Sequence, residues 1–449
     1  MDPSALHHLT TTPWATLQHA YGPATDIPTQ LLSLQSPDRQ ARSDAYDQLY
    51  SNIYHQSDRY EATAYAVPYI LSILSNPAAP DRPRLFCLLL DLALGIPAEA
   101  LPLGVKARST SARGVSTWRD VPDGQVDYGL VAYDAVRAGV PLFWRCLEHT
   151  EDDGRVRAWA ACALAYFPSE VNSNINADTN RLLHLMDQET DIMALASIMI
   201  TLGLLLSSQN DTLSLQDNPS RTSTISRLHT HSTNPHPLLR WAAAVALIRL
   251  GHHSSENVDV ITRALTDPSF IPAEFHVVFP FCEGDFGKYS AKILKGLDLS
   301  VYPGVVPAVL EALPRLPRPD ALNLAEVTME LAFGAMPGDE DEDGDEEEEK
   351  DDDDDDRHPE QMSEIQRQTV MALAEWDDDE VWAMGILGGI LEEWNIPGGS
   401  RDECRRYIGL STLSVRTTFT KSTTVRNTEL DWVMKCQGLS SDQRMHPQN

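Results

Sequence analysis

The sequence predicts an all-α fold, a right-handed α-α superhelix of stacked antiparallel helix pairs, on three observations. The stretch Asp152 to Phe167, DDGRVRAWAACALAYF, recurs 83 positions later as PHPLLRWAAAVALIRL, with Arg157 matched by Arg240. Its apolar positions Val156, Trp159, Ala160, Ala163, Leu164 and Phe167 follow the spacing of one helical face. Second, Val67-Pro68 is echoed by Val140-Pro141 and Val306-Pro307, with prolines 73 and 166 positions apart. Those intervals are close to two and four periods of about 40 residues, the length of one helix pair in HEAT/armadillo-like repeats. Third, no regular alternation of strands with helices interrupts the pattern. Proline is tolerated in a first helical turn, where its missing N–H would be unpaired anyway. Each Val-Pro is therefore expected to mark the start, or a kink near the start, of the second helix of a pair.

Taken in order, residues 13–76 read as an opening unit that caps the stack. A short helix is expected near Leu17 to Tyr21, bounded by Pro13-Trp14 and Asp26-Ile27-Pro28. Ser36-Pro37-Asp38 offers an N-cap and a proline at N1 for a helix from Asp38 to Tyr54. A helix from Tyr60 to Leu74 completes the unit. The region 77–337 follows as HEAT-like repeats, beginning with a helix at Pro83 to Leu94. It is broken by a polar insertion at 96–127, longer than most loops of compact domains. One helix is expected over 131–149. Helix pairs are then expected at 154–167 with 178–188, 191–206 with 220–231, 236–250 with 256–266 and 287–297 with 304–315. Another helix starts at Asp320. Residues 338–358 form an acidic, low-complexity loop, expected to be solvated and disordered because nothing offsets its charge. Helices resume over 359–397, at Glu360 to Trp376 and Glu380 to Glu393. The Ser/Thr-rich, mildly basic stretch 398–449 reads as a tail without fixed structure, or with one short strand near Leu413 to Phe419.

The charge balance narrows the function. The 449 residues carry a net −31, of which the run Asp339 to Asp356, with 16 acids and Lys350, holds −15. An acidic body repels phosphate backbones and anionic lipid, so nucleic acid and membrane surfaces are unfavourable partners and a basic protein is a favourable one. The six cysteines are scattered, with no CxxC pair, which fits reduced thiols. The opening MDPSALHHLTTTPW lacks the apolar core of a signal peptide. The most apolar segment, Met193 to Leu206, is shorter than the ~20 residues that span a bilayer and reads as a buried helix. The expected location is intracellular, cytoplasmic or nuclear.

Signatures of catalysis are missing from the sequence. There is no phosphate-binding GxxxxGK[ST] or GxGxxG, no GxSxG elbow, no HExxH and no His-Glu dipeptide. The histidines His229, His231, His236, His252 and His253 lie in a polar loop region without a cysteine or carboxylate at ligand spacing, so no metal ligand, cofactor-binding or catalytic residue is assigned. Asp377 to Glu380 read as the N-terminal cap region of a helix. Trp14, Tyr21, Tyr50, Tyr54, Tyr60, Tyr65 and Tyr69 crowd the opening unit. They read either as amphipathic cover for an exposed repeat end or as a recognition patch. On the second reading Tyr54, His55, Gln56, Tyr60 and Glu61 are the candidate partner-binding residues.

The opening unit resembles a family of uncharacterised HEAT-repeat-containing proteins of bacteria and fungi. The matching pieces, within residues 14–68, are Trp14-x-x-Leu17-x-His19-Ala20-Tyr21-Gly22, Asp26-Ile27-Pro28, Asn52-Ile53-Tyr54-His55-Gln56, Tyr60-Glu61-Ala62 and Ala66-Val67-Pro68. The resemblance implies a fold and brings no activity with it. The expected function is a non-enzymatic scaffold or adaptor that binds a protein along a groove of the superhelix; the acidic run reads as a solubilising segment, as a dock for a basic partner, or as a segment that folds back on the basic tail after Arg401. The alternative is an enzyme with a pocket in the first unit or near the histidines of 229–253. Arg157 is expected to brace repeat packing through Asp152 or Asp153.

Overall fold

The computed structural model describes residues 9–95, 126–167, 175–207, 219–334, 359–376 and 378–410. Helices hold 69% of these and strands 2%. Most of the 96–127 insertion, the acidic run, and residues 411–449 with the expected strand near Leu413 lie outside the described residues.

Caps and prolines set the helix boundaries. Helix α1 (Ile27–Ser33) has Pro28 in its first turn. Helix α2 (Arg39–Ile53) begins after Asp38, whose carboxylate accepts the Gln40 N–H at 3.0 Å. Asp38, and not Ser36, is thus the cap; Ser36 makes the preceding turn by accepting the Asp38 N–H. Helix α3 (Glu61–Leu74) contains Pro68 in its interior, on the solvent side. That corrects the expectation that every Val-Pro lies near a helix start. Pro141 and Pro307 do lie there, in α6 (Val140–Glu148) and α14 (Val305–Ala312).

The expected helix over 131–149 is two, α5 (Tyr128–Arg137) and α6. Gly139 separates them where the chain presses on α3: a Cβ there would stand 2.6 Å from Leu71 Cδ2. Proline at 141 also withholds the N–H that would continue the ladder. Helix α4 (Arg82–Leu94) ends at Gly95 with φ 66°, and α7 (Gly154–Ala165) starts at Asp153, which accepts the Arg155 N–H. Then come α8 (Ile175–Gln188), α9 (Ile192–Ser207), α10 (Pro219–His231), α11 (Pro237–Arg249), α12 (Ser255–Thr266), α13 (Phe286–Lys295) and, after α14, α15 (Arg318–Phe333). Met193 to Leu206 are all buried in α9. Among the described residues no helix is long and apolar enough to cross a membrane.

Beyond the acidic run come α16 (Glu364–Glu375), α17 (Asp379–Ala383) and α18 (Ile386–Glu392). The last two replace one expected helix, because Gly385 turns left-handed between them at φ 72°. Asp378 caps α17 as the charge pattern predicts, accepting from Glu380 N and Val381 N, and it also pairs with Arg318 at 2.9 Å. The stretch from 398 is not all unstructured tail. Helix α19 (Arg401–Tyr407) docks on α16, with the Arg401 guanidinium donating to the Ala374 and Glu375 carbonyls at 3.1 and 2.9 Å.

Helices pack on helices one, two or three places along the chain. Helix α4 packs on α7, α7 on α9, α9 on α11, α11 on α13 and α13 on α15. A parallel series joins α1 to α3, α3 to α5, α8 to α10, α12 to α14 and α14 to α16. Cross-contacts α3–α4, α6–α7, α8–α9, α10–α11, α12–α13 and α14–α15 tie the two series together. The partner expected for α7, α8, packs mainly on α9 and α10, and α7 pairs backward with α6. Buried apolar side chains form one contiguous core from Leu9 to Ile408.

One side-chain device recurs. Arg42, Arg157, Arg240 and Arg367 each occupy the fourth position after a helix N-cap. Each turns back to donate to carbonyls of the preceding loop: Ser36 and Pro37, Thr150 and Asp152, Asn234 and Pro235, and Pro359. The expected bracing role of Arg157 is therefore present, with a different carboxylate. Glu189 binds it in bidentate fashion at 2.7 and 2.9 Å, while Asp152 pairs with Arg82 at 2.6 Å. Burial acts to raise the Glu189 carboxyl pKa, but the Arg157 hydrogen bonds and charge outweigh it and hold it below the usual carboxylate range.

Candidate functional site

Among the described residues the strands, four of two residues each, all lie in the opening unit. The expected helix near Leu17 to Tyr21 is instead a hairpin, β1 (Gln18–His19) with β2 (Gly22–Pro23). A second hairpin, β3 (Tyr54–His55) with β4 (Asp58–Arg59), joins α2 to α3. Its turn residues Gln56 and Ser57 have φ of 49° and 66°, the left-handed geometry that matches strand twist in a two-residue hairpin. The Ala20 N–H donates to Asn52 O at 3.0 Å, and the Gln18 N–H donates to Glu61 Oε2 at 3.2 Å. These bonds set the two hairpins side by side.

Behind them lies a closed polar network. The Tyr21 N–H donates to His19 Nδ1 at 3.0 Å, so Nε2 carries the ring proton and donates to Asp26 Oδ1, also at 3.0 Å. Asp26 Oδ2 accepts from Gln30 Nε2 and Asn52 Nδ2, both at 2.8 Å. With both nitrogens engaged, His19 has no lone pair left to act as a general base. This His–Asp pair positions the Tyr21 turn.

The aromatics divide by depth. Trp14, Tyr54 and Tyr69 are buried, whereas Tyr21 is 65% exposed and Tyr65 is exposed on α3. Of the candidate residues, Tyr54 faces inward, its ring 4.9 Å from that of Tyr50. His55 is half-buried with Nδ1 3.3 Å from Tyr21 Oη, and Gln56 is exposed at the turn tip. Tyr60 is the N-cap of α3, its N–H donating to Thr63 Oγ1 at 2.8 Å, and Glu61 opens the helix. His55, Gln56, Tyr60 and Glu61 thus share a surface with Tyr21, and Tyr54 lies beneath it. Sequence reasoning placed Tyr21 in the aromatic crowd but not among the candidates. Its position beside Gly22, the signature of a turn tip, was the available signal.

The hydroxyls under this surface are poor acids. Burial, followed by the Asp91 carboxylate, pushes Tyr50 up; burial is also the first cause for Tyr46 and Tyr54. The Cys87 thiol is pushed up by burial and by Asp91, which keeps it protonated and unreactive.

The histidines of 229–253 are spread over structural tasks. His229 and His252 meet edge to face at 5.8 Å, His253 Nε2 lies 3.0 Å from Ile248 O, and His236 is the N-cap of α11. Among the described residues no group of three or more His, Cys, Asp or Glu side chains is arranged to hold a metal. Two clefts lie elsewhere on the molecule. One of ≈710 Å³ has Lys288, Lys292 and Lys295 on α13 facing Glu326 and Glu330 on α15, with Lys295 paired to Glu330. The other, ≈490 Å³, is lined by Arg82 and Arg155, which are neutralised by Asp152 and Asp153. His276 and Asp285 also line the larger cleft, and burial, followed by the Glu330 charge, pushes the Glu326 carboxyl up. Comparison with protein-family models, curated proteins and solved structures finds no match.

Proposed function

We propose that the chain is a HEAT/armadillo-like right-handed superhelix, the fold that the family resemblance over residues 14–68 implies, and that it acts as a non-enzymatic scaffold for a basic protein segment. The observation that carries the architecture is the pair of contact series, each helix resting on the next of its own series and tied across to the other. Stacked units of that kind bury a continuous core only through their neighbours and leave a long surface for partners. The arginine repeated at the fourth helical position of α2, α7, α11 and α16 supports a repeated unit, since each braces the same loop-to-helix junction.

The scaffold reading rests on the surface of the first unit. It presents Tyr21, His55, Gln56, Tyr60 and Glu61 on hairpins held by a hydrogen-bonded base, and the chemistry beneath it is inert. The net charge of −31 makes a basic segment the favoured partner, with the acidic run adding salt-screened attraction. Affinity capture on the immobilised chain at low and high salt tests this. A stoichiometric basic partner held at low salt and released at high salt is expected. Recovery of no stoichiometric partner at either salt counts against the scaffold.

A further inference from the structure

We propose that Tyr21, His55 and Tyr60, with the carboxylates of Asp58 and Glu61, bind the guanidinium group of an arginine in a basic partner segment, an inference that rests on the scaffold reading. Tyr21 is 65% exposed in a unit that buries Trp14, Tyr54 and Tyr69. Yet its ring is held: its N–H is bound by His19, and it stands edge to face on His55 with centroids 5.4 Å apart and planes at 63°. A ring fixed in that way keeps a face open at little entropic loss on binding. Asp58 stands directly across the β3–β4 ladder from His55, so their side chains leave the same face, and Tyr60, whose hydroxyl is raised by burial and then by Asp58 and Tyr21, follows β4 at once in the chain.

The charge of the patch is one-sided. Asp58 is exposed and its carboxylate makes no hydrogen bond or ion pair among the described residues, and Glu61 uses only Oε2, on the Gln18 N–H. The one cation on β4, Arg59, turns away: its Nη1 donates to Ser57 O at 2.6 Å and lies against Gly95, where a Cβ would overlap it. A planar cation stacks on an aromatic face and forks onto a carboxylate, whereas a compact ammonium does only part of this. The patch therefore selects arginine over lysine.

Saturation-transfer NMR on the full chain tests the proposal, using blocked Gly-Gly-Arg-Gly-Gly as the probe and its lysine and citrulline counterparts as comparisons. Transfer to the arginine side chain is expected, with weaker transfer to lysine and none to citrulline. Tyr21→Ala and Asp58→Asn should each weaken arginine binding by about two- to fivefold, with unchanged circular dichroism, and Tyr65→Ala should not. Absence of transfer, equal transfer to lysine, or indifference to both Tyr21→Ala and Asp58→Asn would overturn the site. Retention of an oligoarginine peptide by the chain, unaltered by Tyr21→Ala, removes the patch and leaves the scaffold; no retention at all removes both.

Discussion

The middle of the molecule and its first unit are held together by different physics. Helices α7, α9 and α11 meet through small residues. Gly203 on α9 lies so close to α11 that a Cβ would stand 2.8 Å from Ala246 Cα, and Ala158, Ala160, Ala161, Ala242, Ala243 and Ala246 are all buried. The polar group Thr201 Oγ1 is spent on Ala161 O at 2.8 Å. That region is specified by steric fit. The first unit is specified by hydrogen bonds, through His19, Asp26, Gln30 and Asn52, over an aromatic core. A region set by a polar base can hold a tyrosine in water without losing its shape, as Tyr21 shows.

The comparison can be broken at its strongest joint first. Arg157 and Glu189 are each 9% exposed in the ion pair beside α7. Arg157→Met should lose about 3–5 kcal/mol of stability because Glu189 is left buried and unpaired, and adding Glu189→Leu should restore much of it. Urea unfolding of the single and double variants measures this, and equal losses in both would contradict it. Next, Gly203→Val should destabilise by about 1–3 kcal/mol through overpacking against the α11 backbone. A neutral result would show that α9 and α11 can separate. In the first unit, Asn52→Ala should lose only about 1 kcal/mol, since Asp26 is half exposed and water can replace the lost donor.

Acid should act on the α10–α12 region before it reaches the carboxylates. His231, His236 and His252 are held below the ordinary histidine value, burial first in each, with His229 and Arg221 adding for His252. The unfolded chain takes up these protons more readily. Stability is therefore fullest above about pH 6.5 and falls as pH drops through that value toward the folded pKa values. Denaturation midpoints across that range should fall, and His252→Gln should flatten the slope. Smallest of all, Tyr21→Ala should change stability by within about 0.5 kcal/mol, as an exposed side chain does. A larger loss in a thermal melt would make Tyr21 part of the core cover.

Much of the helical order was legible because it is local. The spacing of Val156, Trp159, Ala160, Ala163 and Leu164 declares a helix with an apolar face, and α2, α4, α9, α10, α11 and α12 fall within a residue or two of their expected limits. The hairpins were not legible, because strands of two residues carry no period and depend on Asn52 O and Glu61, which are remote from β1 in sequence. The candidate surface was read in part. His55, Gln56, Tyr60 and Glu61 are at the surface, Tyr54 is beneath it and Tyr21 joins it.

By itself, the sequence determined where helices form, which of their faces are apolar, and that the chain is strongly acidic. It also placed an arginine where α7 and α11 begin. Tertiary structure decided the rest: that α8 rests on α9 and α10, that Glu189 and not Asp152 receives Arg157, and which tyrosines of one crowded unit stay in water. A period records that a face must be covered. Which neighbour covers it depends on packing between segments far apart in the chain, and a local pattern holds no information about that.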